Sequence, residues 1–294
     1  MSEDVFAGGE ARILDRGFRH YDGVRLRSQP PRTVVVHGIQ RGLGFRRRSS
    51  AKVLPFIGVA VAFLPAIVMV AMATMFRSGG LSELVLPTYS DYVGSIALAI
   101  ILLTALVAPE VYGNDQRTGM LGIYLASPLT RDGYLLSKAV SVASILGIVT
   151  AGPQLLILVA STIQGVGPDG PLDWLVLLLR ILASGVAVSV VLTAMSVAVT
   201  VATNNKGIAI AIIVVIFLVV TGIAAGLAEV TDVEAWKLLS LLDVAFSLPP
   251  AIHGDASGDA GNLSSPMTWT GFAAWVLVCG TIAWYRLRHL EVTR

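Results

Sequence analysis

Charged side chains are scarce in this sequence, and their scarcity excludes a water-soluble fold. Only 14% of the 294 residues are Asp, Glu, Lys or Arg, whereas a soluble domain carries about 25%. So few charges cannot cover a globular surface with polar groups, and 55% of the residues are hydrophobic. Lipid must therefore form part of the solvent of this protein.

The chain also lacks the patterns from which metal and nucleotide sites are built. Its single cysteine, Cys279, cannot form an intrachain disulfide, and its four histidines are scattered without metal-ligand spacing. No stretch matches the phosphate-binding loop G-x-x-x-x-G-K-[ST]; Lys206-Gly207 lies in a turn between two apolar runs. We therefore expect no catalytic residue, metal or cofactor in this chain.

The apolar residues stand in continuous runs that are long enough to cross a bilayer as helices. A hydrocarbon core about 30 Å thick needs about 20 apolar residues in a helix, whereas barrel strands would give alternating segments of about ten. We predict an all-α integral membrane protein with six transmembrane helices at 53–76, 89–108, 139–163, 172–201, 207–228 and 268–284. Gly152-Pro153 is expected to kink the third, because proline has no N–H to donate.

Residues 1–52 contain no apolar core of the signal-peptide type, so we expect a cytoplasmic N-terminal segment. Val35, Ile39 and Leu43 recur at four-residue spacing, and four basic residues follow between positions 46 and 52. This pattern is typical of a basic amphipathic helix that lies in the membrane interface. Three glycines count against a helix here: Gly38, Gly42 and Gly44.

The uneven distribution of basic residues predicts the topology. Eleven of the 21 Lys and Arg lie in residues 1–52, and seven more lie in loops on the same side of the six-span plan. Two lie on the other side, and Arg180 lies within a span. Because Lys and Arg accumulate in cytoplasmic loops, both termini are predicted to be cytoplasmic. The spans occupy 53–286, and 287–294 form a tail.

The loop 110–138 between the second and third spans contains a local pattern of its own. Ser127-Pro128 ends a short apolar stretch at 120–125, and Thr130 with Asp132 can cap the next helix. A short helix with an apolar face must bury that face against another surface. Lipid headgroups, the N-terminal helix of the chain and a soluble partner are the three candidates.

This loop resembles that of the type-2 ABC transporter permeases. Asp115-Gln116-Arg117-Thr118-Gly119-Met120-Leu121 is followed by Leu125-Ala126-Ser127-Pro128-Leu129-Thr130-Arg131. The family places a charged cluster, a Gly-Thr-Leu-like triplet, Leu-Leu-x-x-Pro and Ser/Thr-Arg at this point. Thr-Gly-Met-Leu stands here where Gly-Thr-Leu is commoner. The six-span plan and the N-terminal interface helix also fit the family.

The resemblance implies that the loop is a coupling helix that docks on a separate ATPase subunit. The implied contact residues are Arg117, Thr118, Gly119, Met120, Leu121, Tyr124, Leu125, Ser127, Pro128 and Arg131. ATP and Mg would then be bound by the partner. A second permease chain, identical or homologous, would complete the pathway of an exporter in a prokaryotic plasma membrane. Membrane lipids are the remaining expected partners, and no nucleic acid is expected.

Three polar residues outside the coupling motif are candidate gate or pathway positions. Glu110 follows the second span and would lie near the N-terminal interface helix or be solvated. Gln154 follows the Gly-Pro pair and would face a helix interface or the pathway. Arg180 lies about eight residues inside a span, where it can snorkel outward or serve a gate.

The outer loop 229–267 is acidic and holds a further helix. Trp236, Leu239, Leu242 and Phe246 follow helical spacing, and Pro249-Pro250 is expected to stop the helix. By the resemblance, this helix caps the pathway. The alternative is an interfacial helix that lies on the outer leaflet.

Two other functions remain open from the residues. An ion-driven secondary transporter would need acids or histidines within the membrane, and the spans contain almost none. A non-transporting anchor for a soluble partner is also compatible with the basic N-terminal segment.

Overall fold

The computed structural model describes residues 30–45, 49–76, 89, 92–117, 129–165, 167–168, 170–203, 205–254 and 263–289. All regular elements in these ranges are helices. They are α1 (Pro30–Gly42), α2 (Ser49–Phe76), α3 (Tyr92–Ser95), α4 (Ala97–Arg117), α5 (Arg131–Gln164), α6 (Pro171–Ala202), α7 (Lys206–Thr231), a 3-10 helix (Glu234–Leu239), α8 (Leu241–His253) and α9 (Ser265–Arg288). A π-helical turn, Ile216–Val220, lies within α7.

Five of these helices are long and apolar enough to cross a membrane: α2, α5, α6, α7 and α9. The chain is therefore a helical multi-pass membrane protein. The predicted second span appears instead as α3 and α4, which a turn at Ile96 separates. The apolar part of α4, Ala97–Gly113, falls below the length of the other five helices.

Helix α6 lies at the centre of the bundle and packs against α5, α9, α8 and α4. Small residues permit the closest approach: Gly185 of α6 meets Ala151 of α5, where an added methyl would lie 2.6 Å from the Ala151 Cβ. Helix α4 is also largely enclosed, with Ile100 and Leu103 buried. In contrast, α2, α7 and α9 leave most of their apolar surface uncovered.

Helix α4 extends further into the predicted loop 110–138 than expected, whereas α5 begins where the predicted cap at Thr130 places it. Helix α4 continues through Pro109 to Arg117, and α5 begins at Arg131. The predicted cap at Thr130 is confirmed, because its Oγ1 accepts a hydrogen bond of 3.0 Å from the Gly133 N–H. The predicted short apolar helix at 120–125 lies outside the described residues.

The prediction that Pro249-Pro250 stops the outer helix is wrong. Helix α8 runs through both prolines to His253 and ends at Gly254, whose φ is 84°. The last turn keeps other hydrogen bonds: the Gly254 N–H donates to the Pro250 carbonyl at 3.0 Å, and the His253 Nδ1 lies 3.0 Å from the Pro249 carbonyl oxygen. Since both prolines are buried in the bundle, packing also holds this turn together.

Candidate functional site

Several charged groups that the sequence scatters along the chain lie together at one end of the bundle. We call it the basic end; it comprises α1, the last turns of α4 and α9, and the first turns of α5 and α7. Glu110 of α4 forms an ion pair with Lys206 of α7 there. The Arg131 Nη1 of α5 donates to the Leu287 carbonyl at 3.4 Å and to the Arg288 carbonyl, both in the last turn of α9. The opposite end carries α8.

A fully buried carboxylate, Asp115, organises the basic end. Its Oδ2 accepts a hydrogen bond of 3.0 Å from the Tyr134 hydroxyl and lies 2.7 Å from the Lys138 Nζ. Its Oδ1 forms an ion pair with Arg41 of α1. One carboxylate therefore joins three helices. We refer to Arg41, Asp115, Tyr134 and Lys138 as the Asp115 cluster.

The local sequence explains how the cluster is assembled. Tyr134 and Lys138 are four residues apart, which places both on one face of α5, opposite the last turns of α4. The Lys138 Nζ also donates to the Val111 carbonyl at 3.1 Å. In the same place, the Tyr112 hydroxyl of α4 donates to the Leu135 carbonyl at 2.7 Å. These bonds cross between α4 and α5 near the points where the segment 118–128 leaves and returns.

Helix α1 reaches the cluster because two glycines let its backbone lie against α5. A methyl group at Gly38 would lie 2.3 Å from the Ser141 Oγ, and one at Gly42 would lie 2.5 Å from the Ile145 Cδ1. The Ser141 hydroxyl donates to the Val35 carbonyl at 3.1 Å. The spacing Gly-x-x-x-Gly is a common device for close helix approach. It positions the Arg41 guanidinium over Asp115.

The charged side chains of the cluster are buried, which makes the loss of any one of them costly in free energy. The Asp115 side chain is 0% exposed, that of Lys138 is 2% exposed and that of Arg41 is 20% exposed. Removing one partner from a buried charge pair costs about 3–5 kcal/mol, because the other charge stays buried without compensation. The cluster therefore holds α1, α4 and α5 in one fixed arrangement.

The structure describes few of the predicted loop residues. Arg117 is the last residue of α4. The remaining predicted contact residues other than Arg131 lie outside the described ranges: Thr118, Gly119, Met120, Leu121, Tyr124, Leu125, Ser127 and Pro128. Arg131 binds the end of α9, so it fixes the returning end of this segment to the bundle.

The three other candidates have separate surroundings. Glu110 lies beside Lys206, a contact that the sequence did not indicate. Arg180 is exposed, and its Nη1 donates a hydrogen bond of 2.9 Å to the His253 carbonyl. Its positive charge stabilises the C-terminal end of α8. Gln154 is 0% exposed, and its amide has no hydrogen-bond partner among the described residues.

Sequence reasoning did not identify the Asp115 cluster as a site. Asp115 belongs to the loop motif, whereas Lys138 and Arg41 enter the sequence prediction only through the distribution of basic residues. The available signal was the Tyr134–Lys138 spacing on one face of α5, close to a single acid at the end of α4. The involvement of Arg41 had no local signal, because it lies 74 residues before Asp115.

No model of a known protein family matches the sequence. A search of curated proteins likewise finds no significant match. The class that the structure defines is a helical multi-pass membrane protein with a buried charge cluster at one end.

Proposed function

We propose that this chain is the membrane-spanning permease subunit of an ATP-driven exporter, and that the segment 118–128 docks on a separate ATPase subunit. The observation that carries the proposal is the Asp115 cluster. It connects both sides of this segment to each other and to α1. The loop motif quoted above supports the same function.

The physical reasoning concerns how movement passes from a docked partner to the bundle. A push on the segment 118–128 enters α4 through Arg117 and α5 through Thr130. Because Asp115 is bound to Lys138 and Tyr134, the two helix ends cannot separate without breaking buried charge-assisted bonds. The ends therefore move together, and α1 moves with them through Arg41.

The proposal includes the complete topology and assembly. The α3–α4 pair would cross the membrane as the second span in chain order and bring the total to six. Both termini would face the cytoplasm, and the membrane would be a prokaryotic plasma membrane. ATP and Mg would be bound by the ATPase. A second permease chain would pair with this one, and the uncovered apolar faces of α2 and α7 offer surface for it or for lipid.

Co-purification tests the docking step directly. The tagged chain is isolated from its native membrane, the eluate is assayed for ATP hydrolysis, and bound proteins are identified by mass spectrometry. Arg117→Glu and Leu121→Asp should each remove the ATPase. Arg286→Glu is the matched control, because Arg286 is exposed at the same end but lies on α9. Full ATPase retention in both loop variants would refute the docking step.

Vesicle transport separates this function from the two alternatives. An ATP-driven exporter stops when ATP is depleted and continues when the proton gradient is collapsed. An ion-driven transporter gives the opposite pattern. A membrane anchor binds its partner in the same vesicles without moving any solute.

A further inference from the structure

An apolar groove of about 640 Å³ opens on the side of the bundle towards the basic end. Helix α6 forms its floor, and α5 and α9 form its walls. The residues that define it are Leu136 and Val140 of α5, Val190 and Ala194 of α6, and Val276 and Gly280 of α9. Its volume lies in the range of about 300–1,000 Å³ that is typical of small-ligand pockets.

The groove opens sideways, towards the surroundings of the bundle. Leu136 is 67% exposed and Val140 is 43% exposed. Both lie on a helix that is long and apolar enough to cross a membrane. Val140 falls within the predicted span 139–163 and Leu136 lies about one turn before it, so the exposed walls extend from the expected hydrocarbon region towards the membrane interface. The occupant must therefore be apolar along most of its length.

One end of the groove is polar and lies beside an arginine. Asp132 and Trp284 both line it. The Arg288 Nη2 binds the Asp132 Oδ2 at 2.9 Å, and the Arg288 guanidinium carbon lies 4.0 Å from the centre of the Trp284 ring. Arg131 lies beside Asp132 in the sequence and binds the end of α9. The Arg288 guanidinium group therefore stands at this rim between Asp132 and Trp284, and the Arg131 side chain lies at the neighbouring end of α9.

Arg288 retains capacity for an additional anion. Its side chain is 48% exposed, and the bond to Asp132 uses one nitrogen of a group that carries five N–H donors. A guanidinium group binds phosphate oxygens with favourable geometry. Tryptophan and arginine together are also typical of the depth at which lipid headgroups lie.

We propose that this groove binds one acyl chain of a membrane phospholipid, with the lipid phosphate at Arg288. The apolar walls fit the chain, and the Arg288 N–H donors that do not bind Asp132 complement the phosphate. A helix of a second copy is a less favourable occupant. To enter, it would have to bury the exposed Asp132–Arg288 pair, which costs desolvation energy.

Photochemical labelling of the full chain in phosphatidylethanolamine vesicles tests the proposal without any ATPase partner. Two probes are used separately: a phosphatidylglycerol with a diazirine on one acyl chain, and a diacylglycerol with the same photoreactive chain. Labelled peptides are mapped by mass spectrometry. The phosphatidylglycerol should label α5, α6 and α9 at the groove, and the diacylglycerol should label them less.

Two substitutions test the apolar groove and the phosphate contact separately. Ala194→Phe fills the groove and should abolish labelling there, whereas Ala273→Phe, on an exposed position of α9 outside the groove, should leave it unchanged. Arg288→Gln should lower phosphatidylglycerol labelling about fivefold, the effect of losing one basic contact to an anionic lipid. It should not change diacylglycerol labelling.

Three results would overturn the proposal. The first is equal labelling of the Ala194→Phe and Ala273→Phe variants. The second is phosphatidylglycerol labelling that does not respond to Arg288→Gln. The third is a disulfide between copies of a Val140→Cys variant that forms while lipid labelling is lost, since it would assign the groove to a second chain. Should Ala194→Phe fail to fold, as judged by gel filtration, Ala143→Phe fills the same groove from α5.

Discussion

Replacing Asp115 by asparagine tests the central element of the basic end. The amide keeps an oxygen atom for the Tyr134 hydroxyl and nearly the same volume, but it removes the negative charge. Lys138 and Arg41 then face each other without the carboxylate that lies between them. We expect the Asp115→Asn variant to be less stable and α1 to detach from the bundle more readily.

The expected loss in the free energy of unfolding follows from the burial of the two cations, Lys138 and Arg41. Breaking a buried ion pair costs about 3–5 kcal/mol. Lys138 bears this cost in full, since its side chain is only 2% exposed, whereas Arg41 is 20% exposed and can turn towards solvent. The expected loss therefore lies at the lower end, about 3 kcal/mol.

Equilibrium unfolding in detergent micelles, followed by tryptophan fluorescence, measures this loss. Hydrogen exchange over residues 30–45 reports separately on α1. Asp132→Asn is the matched control, because Asp132 also pairs with an arginine at the same end but is 54% exposed. An exposed pair contributes about 0–1 kcal/mol, so the control should change little.

Two results would refute this reasoning. The first is a stability of the Asp115→Asn variant equal to that of the Asp132→Asn variant. The second comes from a double variant that combines Asp115→Asn with Lys138→Met. Since it removes both buried charges, it should recover about 1–2 kcal/mol relative to the single Asp115→Asn variant. A purely additive loss would show that the two charges are not coupled.

Three further predictions concern other parts of the bundle. Gly42→Val should cost about 1–3 kcal/mol by forcing α1 away from α5. Gly226→Ala should not destabilise the protein, because its added methyl would meet no atom of the described residues within 4 Å; thermal unfolding compares the two variants. Gln154→Leu should leave stability unchanged or raise it, because it removes a buried amide that has no hydrogen-bond partner among the described residues; a lower unfolding midpoint would contradict this. Arg180→Gln should speed hydrogen exchange at 241–254 about fivefold, the loss of one helix-end contact, and unchanged exchange would show that the contact does not hold α8.

The long helices could be predicted closely because their signal is local. The predicted spans 172–201 and 207–228 agree with α6 and α7 to within a few residues. Each depends on the sum of apolar transfer energies along one segment, to which distant residues contribute nothing. The Thr130 cap was equally readable, since its hydrogen bond joins residues three positions apart.

Local rules were less successful where packing overrides them. Pro249-Pro250 is a strong stop signal in an isolated peptide, yet the buried surface of α8 and the Arg180 contact at its end carry the helix past both prolines. By helix propensity alone, the glycines of α1 weaken a helix. In the folded chain Gly38 and Gly42 are the positions at which α1 lies against α5.

The sequence by itself determined that this protein has lipid as part of its solvent and that its apolar segments are helices. Composition and the length of the apolar runs suffice for both conclusions, because in lipid only helices and closed barrels satisfy the hydrogen bonds of every backbone group. The pairing of charges was decided only by tertiary structure. Arg41, Asp115 and Lys138 belong to three separate segments, and their interaction depends on distances that arise only after α1, α4 and α5 have packed together.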